Sequence, residues 1–141
     1  MINSPTPQAA ALNLLNRYYR AFNDGDHTGM LALLSGDVVH DTNQGEPENG
    51  RAAFGAFLVR MERCYSEQLV DMLLWADETG TRAAAEFTVL GKYLSTDEDL
   101  PPATGQTYYL PAGAFFTISG GQIARVPIYY NLNDWLRQIG A

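Results

Sequence analysis

The chain of 141 residues contains a single cysteine, Cys64, and two histidines. One cysteine cannot form a disulfide within the chain, and it cannot build a metal site from paired cysteines. The histidines, His27 and His40, show no metal-ligand spacing, so no metal is expected. We predict a reducing cytoplasm as the compartment, because nothing in the chain depends on an oxidising one.

Positive charge is equally scarce. The formal net charge is −7, and Lys92 is the single lysine. Nucleic-acid binding needs a concentrated basic surface, and an anionic membrane repels an acidic protein, so neither partner is expected. No apolar run approaches the ~20 residues of a membrane span, and the residues from Met1 to Pro5 do not resemble a secretion signal. A small apolar molecule or another protein is the expected partner.

Motifs for nucleotide and covalent chemistry are absent from the sequence. No glycine-rich phosphate loop follows a strand pattern, and no Gly-x-Ser-x-Gly sequence occurs. We therefore expect no nucleotide cofactor and no serine nucleophile, and we predict that the protein works without a cofactor.

Three helices are predicted in the first half of the chain. Thr6-Pro7 is a favourable helix start, and the turn at 23–26 ends that helix while Asp26 can cap a short second one. A third helix begins at about Arg51. Its apolar stripe has helical spacing over Phe54, Phe57, Leu58, Met61 and Tyr65.

After Ser66 the apolar pattern changes to the period of two that is typical of strands. In the clearest segment, 81–93, one face carries Ala83, Ala85, Phe87, Val89 and Tyr93. Further strands are predicted at 38–42, 67–78, 108–119 and 122–131. The pattern predicts one α+β domain over residues 1–141, in which a cone-shaped, curved antiparallel sheet wraps around the N-terminal helices as an α+β roll. An apolar cavity between sheet and helices is the expected ligand site.

Three stretches of the sequence carry a family resemblance: 17–26, 37–50 and 116–123. The first is similar to a helix that bears a catalytic tyrosine and ends in an Asn-x-Gly-Asp turn. The second is similar to a strand and loop with a catalytic aspartate and a Glu-Pro pair, and the third to a hairpin between the last two strands. Together they resemble the nuclear-transport-factor-2-like proteins, and most closely the SnoaL-like and ketosteroid-isomerase-related members.

This resemblance implies an isomerase, or a related cyclase or lyase, that shifts a proton on a small apolar carbonyl compound without a cofactor. It implies that Tyr18 is the oxyanion-stabilising tyrosine and Asp41 the general base. The isomerases add a protonated aspartate at a place that corresponds to 113–115, where this chain has no acid. The alternative is a non-catalytic ligand-binding or protein-interaction module of the same fold.

The residues themselves allow the same chemistry. A carboxylate in an apolar pocket gains proton affinity, and a phenol can donate to the enolate that forms. Val39 and Asp41 share one strand face, which we predict to be the buried one. Alternatively, Asp41 is an exposed Asx-turn residue and Tyr18 a core residue. His40 is expected to be structural or exposed, but a register shift of one residue would exchange the roles of His40 and Asp41.

Other candidates complete the predicted site. The predicted pocket-lining residues are Phe22, Val39, Phe57, Phe87, Ala114, Phe116 and Tyr130. Asp71 either faces the pocket as a second acid or pairs at the sheet edge, and segment 95–107 is either a lid or a solvated loop. Because strands rich in tyrosine and phenylalanine would leave an apolar patch, we expect a homodimer through the exposed sheet face.

Overall fold

The computed structural model describes residues 4–140, so the first three residues and Ala141 of the predicted domain lie outside the described part. The helices are α1 (Pro7–Asp24), α2 (His27–Ala32), α3 (Arg51–Cys64) and α4 (Leu132–Ile139). The strands are β1 (Leu34–Asp41), β2 (Glu48–Asn49), β3 (Tyr65–Ala76), β4 (Arg82–Tyr93), β5 (Thr107–Ser119) and β6 (Gln122–Tyr130). No helix of the described part is long and apolar enough to cross a membrane.

Helix α1 begins and ends at the residues that the sequence favours. The Thr6 side chain accepts a hydrogen bond from the Ala9 N–H, and Pro7 occupies the first helical turn. Gly25 ends the helix with a φ of 70°, a left-handed conformation that glycine adopts at little cost. The buried stripe of α1, which packs on the sheet, is Ala11, Leu14, Leu15, Tyr18 and Tyr19.

The six strands form one open, curved sheet in the order β2-β1-β6-β5-β4-β3. The pairs β1–β2, β3–β4, β4–β5 and β5–β6 are antiparallel, whereas β1 and β6 are parallel. The predicted α+β class is confirmed, and the predicted antiparallel pairing is correct for all pairs but β1–β6.

The sheet has a covered face, against which helices α1 and α3 pack, and an open face. On β4 the predicted inward residues Ala83, Ala85, Phe87, Val89 and Tyr93 are all buried on the covered face. On β5 the even-numbered residues from Tyr108 to Ile118 point the same way, and Phe116 is completely buried. The open face carries large apolar side chains that are about half exposed: Leu73, Trp75, Leu90, Tyr109, Phe115 and Tyr129.

Several boundaries differ from the predicted ones. β1 begins at Leu34 rather than Val38, and Tyr65 begins β3 rather than ending α3. Helix α4 was not predicted: Asn131, expected as the last residue of a strand, caps α4 by accepting a hydrogen bond from the Asp134 N–H at 3.0 Å. Only Asn131 separates β6 from α4, so the strand pattern runs directly into the helix.

Candidate functional site

Tyr18 lies on the covered side of the sheet, as predicted from its helical stripe. Its side chain is 4% exposed, and its ring meets those of Tyr19 and Phe116 edge-on at centroid distances of 5.1 and 5.8 Å. Burial raises the pKa of the Tyr18 phenol well above its ordinary value. Tyr18 is therefore a neutral group that can donate a hydrogen bond but does not ionise.

Asp41 does not lie on the same side as Tyr18, and the predicted face of β1 is wrong. Val38 and His40 are the buried residues of this strand, at 0% and 1% exposure, so Val39 and Asp41 point to the open face. The Asp41 carboxylate accepts a hydrogen bond from the Asn43 N–H at 2.9 Å and lies 3.7 Å from an Arg125 nitrogen. Asp41 is thus an Asx-turn residue, as the alternative held, but its side chain is 17% exposed and only partly accessible.

His40 takes the inward position instead of Asp41. Its ring packs between Phe54 and Phe57 of α3, each at a centroid distance of 4.5 Å. Burial lowers the pKa of His40 to about 4, although the neighbouring Asp41 charge acts in the opposite direction. His40 is consequently neutral at physiological pH.

A carboxyl–phenol pair does exist on the covered face, but at Glu67 and Tyr108. The Tyr108 hydroxyl donates a hydrogen bond to Glu67 Oε2 at 2.5 Å. Burial raises the pKa of Glu67, and the hydrogen bond from Tyr108 offsets part of that rise. The sequence held a signal for this residue: Glu67 alternates with Tyr65 and Leu69, which are both buried, so an acidic residue interrupts an apolar strand face.

Gly91 makes the contact between Glu67 and Tyr108 possible. In the sheet register Glu67 pairs with Gly91 on β4, and Gly91 pairs with Tyr108 on β5. A Cβ at position 91 would lie 2.0 Å from two ring carbons of Tyr108. The missing side chain therefore lets the Tyr108 ring lie over β4 and reach the carboxyl group on β3.

Aromatic rings surround this pair. Trp135 of α4 lies against Tyr65, Tyr108 and Tyr130, at centroid distances of 5.9, 6.0 and 6.5 Å. Burial and the nearby Glu67 charge raise the pKa of both Tyr108 and Tyr130, so both phenols stay protonated. We call Tyr65, Glu67, Tyr108, Tyr130 and Trp135 the Glu67 site.

The segment between β4 and β5 is tied to the edge of this site. Tyr65 donates a hydrogen bond to the Asp97 carboxylate at 2.8 Å, and Tyr93 donates to the Pro101 carbonyl at 2.7 Å. Leu100 packs against the core. The segment is largely an exposed loop, as one of the two alternatives held, with these few contacts to the protein, and its action as a lid stays a prediction.

Six of the seven predicted pocket residues lie on the helix side of the sheet: Phe22, Phe57, Phe87, Ala114, Phe116 and Tyr130. Only Tyr130 belongs to the Glu67 site, and the part of the others in ligand binding stays a prediction. Val39 lies on the open face, because it shares the orientation of Asp41.

The open face contains a groove of about 540 Å³ between Trp75 and Phe115. Asp71 and Glu86 contribute carboxylates to it. A bulge between Val70 and Leu73 turns Asp71 outward with a φ of 55°. Asp71 is thus neither a second acid in the interior nor a partner in a sheet-edge pair.

Comparisons with known proteins agree with this architecture. Residues 15–126 match the model of the SnoaL-like domain. A solved structure from Xanthomonas campestris pv. campestris, called a candidate polyketide cyclase, shares 53% identity over 95% of this chain and 99% of its own, with a TM-score of 0.93. Another from Pseudomonas putida KT2440, with the same description, shares 56% identity over 97% and 100% of the two chains, with a TM-score of 0.90.

A more distant structure shares the fold. A candidate ketosteroid isomerase from Kribbella flavida has 22% identity over 89% of this chain and 81% of its own, with a TM-score of 0.67. No protein of curated function matches the sequence. The similarity at high identity thus identifies the family, whereas the distant similarity shows the fold alone.

Proposed function

The chain belongs to the SnoaL-like family, and from this premise we propose that it is a cofactor-independent enzyme that moves a proton on a small, largely apolar carbonyl compound. Similar proteins are called polyketide cyclases, and a more distant one a ketosteroid isomerase. Cyclisation and isomerisation of carbonyl compounds both begin when a base removes a proton beside a carbonyl group. The chemistry proposed for this chain is that shared step.

The observation that carries the proposal is the hydrogen-bonded pair of the partly buried Glu67 and the buried Tyr108. A carboxyl group whose pKa is raised by burial can take a proton from carbon and return it to another carbon or to the product oxygen. The aromatic rings around Glu67 exclude water and suit an apolar substrate. We assign Glu67 as the base in place of Asp41, which lies on the open face.

The enolate oxygen needs a hydrogen-bond donor as its negative charge develops. Tyr130 supplies a phenol that remains protonated beside Glu67, and we assign it as the principal donor. Tyr18 is a second neutral phenol on the same covered side. This division of roles keeps the carboxyl–phenol chemistry expected from the sequence but moves its base from β1 to β3.

Proton abstraction can be tested before the natural substrate is known. The exchange of the α-protons of 2-tetralone, an apolar ketone, is followed by ¹H NMR in D₂O with catalytic amounts of protein. Glu67→Gln should reduce the catalysed exchange rate by about 10²–10⁴-fold, because general base catalysis typically contributes that much. Glu78→Gln, which alters an exposed acid in the β3–β4 turn, is the matched control and should exchange at the wild-type rate. Equal rates for wild type and Glu67→Gln, or no catalysed exchange at all, would contradict the proposal.

A specific observation also supports the expected homodimer. The six large side chains on the open face are roughly half exposed, which corresponds to about 100 Å² each and roughly 600 Å² together. Monomers rarely expose more than a few hundred Å² of apolar surface in one patch, and a stable interface buries about 800 Å² per partner. We propose that a second copy of the chain covers this face, so that the groove between Trp75 and Phe115 becomes part of an isologous interface.

The dimer is tested by sedimentation equilibrium at micromolar concentration. Phe115→Arg places a charge at the groove and should yield a monomer, since a buried unpaired charge opposes association. Val59→Arg alters an equally exposed apolar residue on α3, away from the sheet, and should leave the dimer intact. A wild-type protein that sediments as a monomer would refute the interface.

A further inference from the structure

His40 presents a polar group that nothing in the protein satisfies. Its side chain is 1% exposed, and neither Nδ1 nor Nε2 has a hydrogen-bond partner among the described residues. Buried polar groups in native proteins are almost always paired, because an unsatisfied donor or acceptor has lost its water without replacement. Such an imidazole therefore requires an explanation that the Glu67 site does not supply.

The surroundings of His40 define what could pair with it. Phe54 and Phe57 contact the ring, and Val38 and Val126 are its buried neighbours on the covered face. The nearest charged atom is Glu48 Oε1, which lies 3.9 Å from Nδ1, beyond hydrogen-bond range, on a side chain that is 42% exposed. The ring is thus an isolated neutral donor and acceptor inside an apolar wall.

We propose that His40 is a ligand-binding subsite, at which the imidazole hydrogen-bonds to a hydroxyl or carbonyl oxygen of a neutral, apolar ligand. A neutral oxygen fits because the neutral imidazole offers one donor and one acceptor. The phenyl rings of Phe54 and Phe57 provide flat apolar surfaces for the ligand body.

Access to this subsite lies on the side of Phe57. Phe54 is 1% exposed, whereas Phe57 is only partly buried and has the Arg60 guanidinium 5.7 Å above its ring. We place ligand entry there because Phe57 is the less buried of the two rings that cover His40. The subsite does not depend on Glu67 being catalytic, since it lies on β1 rather than β3.

We expect the unsatisfied imidazole to lower the stability of the ligand-free protein while it favours ligand binding. His40→Met replaces the ring with an apolar side chain of similar size and removes both nitrogens. If the subsite is real, this substitution raises the Tm of the ligand-free protein by about 2–6 °C, because unpaired polar atoms are lost. A structural histidine would behave in the opposite way, so a fall in Tm, or a failure to fold in both His40→Met and His40→Leu, overturns the proposal.

Binding is measured with 2-naphthol, a neutral hydroxyl compound, and with naphthalene as the probe that lacks the oxygen. Wild type should bind 2-naphthol about tenfold more tightly than naphthalene, and His40→Met should lose that preference while His27→Met keeps it. In wild type labelled with ¹⁵N-histidine, 2-naphthol should shift the His40 ring nitrogens. No preference in wild type, or an unchanged preference in His40→Met, overturns the subsite.

The Glu67→Gln variant separates this subsite from the proposed function. A naphthol preference that survives in Glu67→Gln and disappears in His40→Met supports the subsite, whatever the exchange assay shows. A preference that disappears in Glu67→Gln and survives in His40→Met assigns the hydroxyl to the Glu67 site and overturns the subsite, leaving the proposed function intact.

Discussion

Gly91→Ala should damage the Glu67 site although it adds a single methyl group. The new Cβ would lie 2.0 Å from two Tyr108 ring carbons and 2.5 Å from the Tyr108 hydroxyl oxygen. Real Cβ atoms do not approach so closely, so the ring must move away from Glu67. Overpacking in a core and loss of a hydrogen bond to a carboxyl group together destabilise by roughly 2–5 kcal/mol. For a domain of this size the expected fall in Tm is roughly 5–15 °C.

The assay is thermal and urea unfolding followed by circular dichroism, with a matched control and a double-mutant cycle. Gly36→Ala, also in a strand, adds a Cβ that meets nothing within 4 Å, so its stability should be unchanged or slightly higher. Tyr108→Leu removes the ring that the new methyl group strikes, and in that background Gly91→Ala should destabilise by less than about 0.5 kcal/mol. If Gly91→Ala is equally harmful with and without the Tyr108 ring, the steric account of Gly91 is refuted.

Three further predictions concern other parts of the molecule. The pKa of His40 falls from 6.5 to about 4 on folding, so protonation favours the unfolded chain, and stability should decrease by about 3 kcal/mol as the pH falls from above 6.5 to 4. Urea unfolding across pH 4–7 should show this loss in wild type and a shallower one in His40→Met; superimposable profiles would contradict it. Tyr65→Phe removes the hydrogen bond to Asp97 and should speed amide exchange in segment 95–106 while α1 exchanges as before. Asn131→Ala removes the cap of α4 and should lower stability by about 1 kcal/mol, and an unchanged urea midpoint would count against that cap.

Much of the fold could be predicted from the sequence because its signals are local. Thr6-Pro7 predicts the start of α1, and the buried residues of this helix follow helical spacing. The alternation over 81–93 assigns the inward residues of β4 correctly, since period two is a property of the strand itself. The α+β class follows from the order of these elements, and the resemblance to SnoaL-like proteins agrees with the family found by comparison.

Local patterns could not predict which side chains of β1 face the helices. Val38-Val39-His40-Asp41 contains apolar residues at both parities, so period two alone cannot say which side packs against α3. The structure buries His40 and leaves Asp41 to Arg125 and the Asn43 N–H, which satisfy a carboxylate better than Phe54 and Phe57 could. The sequence therefore placed the expected base at Asp41, whereas the residue that faces the interior is its neighbour His40.

The sequence by itself determined most of the helices and strands of this protein and its family. Only the tertiary structure brought Glu67, Gly91 and Tyr108 into one row across three strands, and it placed Trp135 of an unpredicted helix beside them. These residues are far apart in the chain, and their contact depends on strand register and on which side chain is missing at Gly91. Register and packing are properties of the assembled sheet, so no local pattern in the sequence could specify them.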